Sequence, residues 1–383
     1  MSVNVMENWL QSGQPAVINN LSLQPLKHPQ LPGMIVSVQK GQAEVYWLED
    51  NHHHCWILKK FHPGRCPDRQ YLTEIARLLP SVDNFRCGTE RQVLSKHALT
   101  KSRGSYFDHS LSRWLDLTVL MPKIHGIDWA AVADELRDGN LHLEPAHRLT
   151  LCRNLATLVK TLELYQLAHR DLSSGNILIV MKTLTINLID VDSIYHPQLT
   201  LPEFTTCGTE GYTAPLVWHS GKPNAQATWC EHADRFSLAI LLVEFLVLDK
   251  HAPLAHEGGM FHQEEIRQNA GRNLKQIIQK LKSEYPLALP LLEAALQSRN
   301  FTDCPSPEAW LRFCDTVLAS MTPPRLDDLE NVAPDFFINL LKQKIAEAPV
   351  WPVPSLSDWP LDVPVLPTTT ATSVSLPPDP WQS

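Results

Sequence analysis

The chain has 383 residues, of which 44% are hydrophobic and 19% are charged, and its formal net charge is −8. The last 62 residues (322–383) hold 12 of the 30 prolines, none of the 15 glycines and −5 of that charge. The first 321 residues are therefore nearly neutral. This excludes the broad basic surface typical of nucleic-acid-binding proteins and predicts no nucleic-acid partner.

The cysteines and the apolar segments indicate a reducing compartment and no membrane partner. The 8 cysteines are dispersed without a Cys-x-x-Cys pair, so we interpret them as reduced thiols of a cytoplasmic protein. The N-terminus lacks the basic start and apolar run of a signal peptide. The most apolar segment, 236–248, contains Glu244 and is too short to cross a bilayer, so it predicts a buried core helix.

The first third of the chain is predicted to be rich in strands. Residues 1–35 are interpreted as an N-terminal extension. Between 36 and 61, apolar and aromatic residues recur as in two or three strands, and another strand is expected over 117–121. A helix is expected after Pro67, because its apolar residues share one helical face. These residues are Tyr71, Leu72, Ile75, Leu78 and Leu79.

Helical periods dominate the rest of the chain. A long helix is predicted to start near Pro145, since proline suits the first helical turn. It is followed by a hairpin over 176–189 and by further helical periods over 215–318. Strands followed by helices predict an α+β fold with two lobes of unlike class. Residues 322–383 are expected to form a short helix near Phe336 and a largely disordered, proline-rich acidic tail.

The strongest functional signal lies between the long helix and the hairpin. Residues 169–176 read HRDLSSGN, which includes Asp171 and Asn176, and Asp190 follows at the end of the hairpin. Phosphoryl transfer needs a carboxylate that orients the attacking hydroxyl and hard oxygen ligands for Mg²⁺. An Asp, an Asn five residues later and a second Asp after a hairpin supply these groups.

With these motifs the chain resembles the eukaryotic-type (Hanks) Ser/Thr protein kinases, in particular a bacterial subset with an Asp-Val-Asp metal motif. Residues 208–215 resemble the loop that docks the substrate, and Asp234 resembles the aspartate that holds the catalytic loop. The resemblance implies a kinase-like domain over 36–321. It would have a small antiparallel β lobe with one helix (about 36–121) and a larger helical lobe (about 125–321).

The resemblance also implies a site for ATP and Mg²⁺ (or Mn²⁺). Lys59 is expected to hold the phosphates and Glu74 to pair with Lys59, while Asp171 orients the substrate hydroxyl. The predicted catalytic residues are Asp171, Lys59 and Asn176, and the predicted metal ligands are Asn176 and Asp190. The predicted cofactor-binding residues are Gly41, Ala43, Val45, Lys59, Glu74, Met121, Lys123 and Ile124.

Three departures from the family pattern bear on activity. The phosphate-covering loop keeps only Gly41 of the usual three glycines, and Ser173 stands where most Ser/Thr kinases have a lysine. Asp192 replaces the glycine of the metal motif. Asp192 is interpreted either as a second metal contact or as a polar turn residue.

The leading hypothesis is a protein Ser/Thr kinase that transfers the γ-phosphate of ATP to a protein hydroxyl, with autophosphorylation of its activation segment as an additional possibility. Thr205 is a candidate phosphorylation site, with Arg170 as its cationic partner. One alternative is a pseudokinase, which binds nucleotide or acts as a scaffold without transfer. Another is a small-molecule phosphotransferase, a class that lacks the loop at 208–215.

Partners other than a protein substrate follow only from weaker signals. The P-x-x-P spacings at 349–352 and 364–367 are typical either of a disordered linker or of a segment that docks a partner. The resemblance to the bacterial subset implies a metal-dependent phosphatase and a von Willebrand-type protein as associated proteins.

Overall fold

A computed structural model of the chain describes residues 2–28, 31, 33–39, 41–219, 222–255 and 259–321. It shows a mixed α+β architecture, with a large antiparallel sheet in the first third and mainly helices in the remainder. The helix expected near Phe336 and the proline-rich tail lie outside the described residues. Among the helices that are described, none combines the length and the apolar character that a bilayer crossing requires.

Eight short antiparallel strands form the large sheet. They are β1 (Ala16–Ile18), β2 (Leu21–Pro25), β3 (Ser37–Gln39), β4 (Ala43–Asp50), β5 (Cys55–Phe61), β6 (Gln92–Val93), β7 (Leu99–Thr100) and β8 (Thr118–Pro122). Their order is β6-β8-β5-β4-β2-β1-β7, and β3 pairs with β4. A second sheet has the order β11-β10-β9, from β9 (Ile127–Asp128), β10 (Ile177–Val180) and β11 (Thr185–Leu188). A short hairpin joins β12 (Trp218–His219) and β13 (Lys222–Pro223).

The helices fall into two groups along the chain. Those of the sheet region are α1 (Ser2–Ser12), α2 (Arg69–Leu78), α3 (Arg86–Thr89) and α4 (His109–Trp114). Those of the helical region are α5 (Trp129–Asp138), α6 (Pro145–Leu164), α7 (Arg235–Val247), α8 (Gln263–Gln268), α9 (Arg272–Glu284), α10 (Leu289–Leu296) and α11 (Pro307–Leu318). The predicted strands, the helix after Pro67, the long helix at Pro145 and the hairpin are therefore confirmed.

The first 35 residues belong to the large sheet. Asn19 and Asn20 both have positive φ (46° and 68°), which suits the tight turn that pairs β1 with β2. Trp9 of α1 is fully buried and packs in one core with β1 and β2. The boundary predicted at residue 36 therefore separates no structural unit, because β2 pairs directly with β4.

Helix α7 is the centre of the helical region. From Phe236 to Val247 its side chains are buried on every face except at Ser237, as expected for a helix enclosed by others. Arg235 at its start donates two hydrogen bonds, of 2.7 and 2.9 Å, to the carboxylate of Glu163 in α6. The prediction of a buried helix over 236–248 is confirmed. This packing fixes the loops at the N-terminal end of α7.

Candidate functional site

The strand register places several predicted nucleotide-binding residues on one face of the large sheet. Val45 in β4 pairs with Lys59 in β5, and Lys59 pairs with Val119 in β8. Directly paired residues share a face, and alternate residues of one strand do the same. Ala43 and Met121 therefore lie on the face that carries Lys59. The register therefore places these four predicted positions on one face of the sheet.

The remaining predicted nucleotide-binding residues lie at the edges of this surface. Gly41 is exposed in the bend that leads into β4. Lys123 and Ile124 follow β8 and are partly buried, and the Lys123 amide donates to the Cys55 carbonyl at 3.0 Å. This bond continues the β5–β8 ladder by one step, so 121–124 is held as an extended segment beside the sheet face.

Lys59 is buried and its ammonium group contacts two carboxylates. Its Nζ lies 2.5 Å from Asp190 Oδ1 and 2.6 Å from Asp192 Oδ2. Burial alone would lower the pKa of Lys59, but the charges of Asp190 and Asp192 outweigh it and raise this pKa. Lys59 is thus charged and joins the large sheet to the turn at 190–192.

Asp192 has a second cationic partner, Arg91. The Arg91 Nη2 lies 2.5 Å from Asp192 Oδ1, and both side chains are almost fully buried. Burial favours the neutral acid, yet the charges of Arg91 and Lys59 hold the pKa of Asp192 well below its usual range. Asp192 therefore stays ionised and is hydrogen-bonded through each of its carboxylate oxygens.

The predicted pairing of Lys59 with Glu74 is wrong in this structure. Helix α2 turns Tyr71, Leu72 and Ile75 inward, and Glu74 instead accepts a 2.6 Å hydrogen bond from Arg77 on the partly exposed side. Helix α2 contacts the chain beyond the 190–192 turn through Tyr71, whose hydroxyl donates to the Ile194 carbonyl at 2.7 Å. Lys59 forms its ion pairs with Asp190 and Asp192 and not with Glu74.

Asp234, at the start of α7, holds the 169–176 loop through hydrogen bonds to its backbone. The two carboxylate oxygens of Asp234 accept hydrogen bonds from the backbone amides of His169 (2.5 Å) and Arg170 (2.8 Å). The imidazole Nε2 of His169 contacts the Ile189 carbonyl at 2.8 Å, just before Asp190. The role predicted for Asp234 agrees with these contacts, which tie the loop to the hairpin.

Asp171, Asn176 and Asp190 are brought together by the loop and the hairpin. The Asn176 side-chain amide donates to the Asp171 carbonyl at 2.8 Å, and the Ile189 amide donates to the Asn176 carbonyl at 3.0 Å. Asp190 follows Ile189 and has a left-handed backbone (φ 61°), at the residue where β11 gives way to the turn. Thr209 donates to Asp171 Oδ1 at 2.7 Å.

The donor set of Asn176 and Asp190 suits a magnesium ion in its chemistry. The Asn176 amide nitrogen is engaged by the loop, which leaves the amide oxygen as the atom for a ligand role, and Asp190 is 29% exposed. Carboxylate and amide oxygens are hard donors of the kind Mg²⁺ prefers, with the remaining positions filled by water and phosphate. Within the described residues, no cluster of three or more His, Cys, Asp or Glu forms a protein-only metal cage.

Arg170 anchors the segment that contains Thr205. Its guanidinium is buried and donates to the carbonyl of Ser193 (2.8 Å), to the Thr205 hydroxyl (2.9 Å) and to the carbonyl of Thr228 (3.0 Å). It also stacks over Trp229, 4.7 Å from the ring centroid. The predicted proximity of Thr205 and Arg170 is confirmed, while phosphorylation of Thr205 stays a prediction.

A buried chain of hydrogen bonds connects the 169–176 loop to the 208–215 loop and to α7. Ser174 is hydrogen-bonded to the Tyr212 hydroxyl, which in turn donates to Glu244 Oε2 at 2.9 Å. Trp129 Nε1 and the Met260 amide also donate to Glu244, at 3.2 and 2.7 Å. Burial raises the pKa of Glu244 to about 7, although these donors oppose the rise.

Sequence reasoning missed Arg91 and the hydrogen bond from Thr209 to Asp171. A lone arginine before a two-residue strand carries no periodic signal, and its partner Asp192 is 101 residues away. Thr209 lies in the predicted docking loop, but no spacing rule indicates which side chain reaches Asp171. One sequence signal points to the role of Asp192: a carboxylate two residues after Asp190 is close enough in the chain to contact the same cation.

Comparisons with known proteins return no assignment. The chain matches no protein-family model and no curated protein.

Proposed function

We propose that the chain is an ATP- and Mg²⁺-dependent protein Ser/Thr kinase with a two-lobed, kinase-like fold. The observation that carries the proposal is the convergence of Lys59 from the sheet with Asp190 from the hairpin. Asp171 and Asn176 lie in the loop that this hairpin contacts. A phosphate-binding cation, hard metal ligands and a carboxylate for the hydroxyl are the parts that phosphoryl transfer uses.

Each residue has one task in this reaction. Lys59 binds the nucleotide phosphates, and the carboxylate of Asp190 and the amide oxygen of Asn176 hold the metal. Bound Mg²⁺ would supply neutralisation of the phosphate charge. Asp171 accepts a hydrogen bond from the substrate hydroxyl. As the hydroxyl oxygen bonds to the γ-phosphorus and the bond to the ADP oxygen breaks, Asp171 takes up the hydroxyl proton.

The sheet face and the 208–215 loop favour ATP as donor and a protein as acceptor. Val45 and Met121 are partly buried apolar residues on the face of Lys59, and we propose that adenine packs on them next to the phosphate-binding cation. Two side-chain hydrogen bonds hold the 208–215 loop, one from Thr209 to Asp171 and one from Tyr212 to Glu244. This loop resembles the substrate-docking loop of the protein kinases, which the small-molecule phosphotransferases lack, and it therefore favours a polypeptide substrate.

One observation favours a second candidate, a nucleotide-binding regulator that does not transfer phosphate. Lys59 is enclosed by two carboxylates, and the segment before β4 has only Gly41 to let a backbone approach phosphate. Nucleotide would then have to displace Lys59 from Asp190. A chain that binds ATP without making this exchange would transfer no phosphate.

The test is transfer of label from γ-labelled ATP, with Mg²⁺, to the chain itself and to a general acceptor protein such as casein. Asp171→Asn is the matched variant, because it keeps the shape of the side chain and removes the base. We expect transfer by the wild type, a loss of at least about 100-fold in Asp171→Asn, and similar stabilisation of both proteins by Mg-ATP. Stabilisation without transfer in the wild type would favour the regulator, and no response to Mg-ATP would contradict both candidates.

A further inference from the structure

Arg91 and Lys59 lie on the same face of the large sheet. Val93 in β6 pairs with Val119 in β8, and Val119 pairs with Lys59 in β5. Arg91 precedes Val93 by two residues, and alternation therefore directs it to the face that Lys59 occupies. Buried cations need a counter-charge, and Asp192 contacts both Lys59 and Arg91.

Each oxygen of the Asp192 carboxylate contacts one of these two cations. Oδ2 contacts Lys59 Nζ at 2.6 Å and Oδ1 contacts Arg91 Nη2 at 2.5 Å. The side chains of Arg91, Asp192 and Lys59 are 1%, 5% and 8% exposed. Charges this deeply buried keep their positions only when paired and hydrogen-bonded, so removal of one partner strands the others.

Asp190 and Asp192 differ in how firmly they are held. Asp190 is 29% exposed, and among the ion pairs of the described residues it takes part only in the one with Lys59. Asp192 is also held by its buried ion pair with Arg91. When phosphates approach, Lys59 can leave Asp190 and turn to the new anion while it keeps its bond to Asp192. Lysine has three donors, which permits both contacts at once.

We propose that Asp192, itself fixed by Arg91, is the carboxylate that positions Lys59 for the nucleotide phosphates, in place of Glu74. This inference rests on the proposed function. It makes the lysine independent of helix α2, because its partner lies in the 190–192 turn. It also gives Asp192 a task other than the two interpretations made from the sequence: each oxygen contacts a cation of the chain, which makes Asp192 a positioning residue.

The kinetic test compares Asp192→Asn with Glu74→Gln, two isosteric removals of one negative charge. We expect kcat/KM for Mg-ATP to fall at least tenfold in Asp192→Asn, with a higher KM and a lower kcat, and to change less than threefold in Glu74→Gln. Arg91→Met should lower kcat/KM as Asp192→Asn does. Arg91→Lys keeps the cation and should retain at least a third of the wild-type kcat/KM. The concentration of Mg²⁺ for half-maximal rate should stay within twofold in all four variants.

Two kinetic results would overturn the inference. One is a tenfold loss in Glu74→Gln with little change in Asp192→Asn. The other is recovery of Asp192→Asn by raised Mg²⁺, which would make Asp192 a metal ligand. Circular dichroism identifies variants that fail to fold. If Asp192→Asn fails to fold, the comparison of Arg91→Lys with Arg91→Met tests the inference in its place.

A second measurement needs no catalytic activity. The urea midpoint of Asp192→Asn is measured in the wild-type and in the Lys59→Met background, and Glu74→Gln is measured in the same two backgrounds. We expect the Asp192→Asn shift to be at least halved when Lys59 is absent, and the Glu74→Gln shift to be equal in both. Equal Asp192→Asn shifts would contradict the pairing. A wild type without nucleotide binding would contradict the proposed function, and this cycle would still decide whether Asp192 and Lys59 are coupled.

Discussion

Tyr212 and Glu244 are joined by a buried hydrogen bond, in which the phenol donates to the carboxylate at 2.9 Å. The bond ties the 208–215 loop to the central helix α7. Glu244 has no exposed surface, and the charge of Arg137, which acts to lower the pKa of Glu244, does not outweigh the effect of burial. Protonation of Glu244 is therefore linked to the stability of the loop.

This linkage predicts that the protein loses stability between pH 4.5 and 7. The pKa of Glu244 rises from 4.5 to about 7 on folding, so the folded protein binds this proton more tightly than the unfolded chain. The resulting contribution to the free energy of unfolding is fully present below pH 4.5 and is lost as the pH rises to about 7. The change is on the order of 3 kcal/mol. Urea unfolding at several pH values measures it, and Glu244→Gln should flatten the curve in this range. An unchanged slope in Glu244→Gln would contradict the assignment.

Asp234 is expected to be a large contributor to the stability of the 169–176 loop. Asp234→Ala would leave two buried backbone amides, those of His169 and Arg170, without acceptors. We expect a loss of about 3 kcal/mol or more in the free energy of unfolding. Asp249→Ala, beyond the other end of α7 and 37% exposed, is the matched control and should cost about 1 kcal/mol or less. Similar losses in the two variants would argue against the buried role of Asp234.

The N-terminal segment is expected to be essential for the large sheet. Trp9 is fully buried against β1 and β2, so Trp9→Ala should cost about 3 to 5 kcal/mol. Asn8→Ala, an exposed position of the same helix, should change stability by less than about 0.5 kcal/mol. Thermal unfolding measures both. A Trp9→Ala variant as stable as Asn8→Ala would restore the interpretation of residues 1–35 as an N-terminal extension.

The hydroxyl of Thr209 is expected to orient Asp171. Thr209→Val keeps the shape of the side chain and removes the 2.7 Å hydrogen bond to Asp171. A hydrogen bond to a charged group contributes about 1.5 kcal/mol, so phosphate transfer should slow about tenfold. Thr209→Ser retains the hydroxyl and should stay within about threefold of the wild type. Equal rates in the valine and serine variants would separate Thr209 from catalysis.

Local patterns explain what could be predicted from the sequence. The hairpin at 176–189 and the helix at Pro145 show strong periodicity, and short-range spacing was enough to group Asp171, Asn176 and Asp190. The strands β1 and β2 were missed, although Asn19 and Asn20 between apolar residues are typical of a hairpin turn.

Side-chain partners across long separations could not be predicted. Helical periodicity showed which face of α2 is buried, but it cannot tell whether Glu74 or Asp192 reaches Lys59. That choice depends on the strand register of β5, β6 and β8 and on the path of the chain 133 residues later. No local sequence pattern indicates the role of Arg91, because that role depends on its ion pair with Asp192, 101 residues later in the chain.

The most direct test of the account is the rate of phosphate transfer from labelled ATP by Asp190→Asn, compared with that of the wild type at saturating Mg²⁺. Asp190 is the residue at which the lysine of the sheet and the predicted metal site meet. The account predicts that the folded variant loses at least about 100-fold in rate. A folded Asp190→Asn protein that transfers phosphate as fast as the wild type would contradict it.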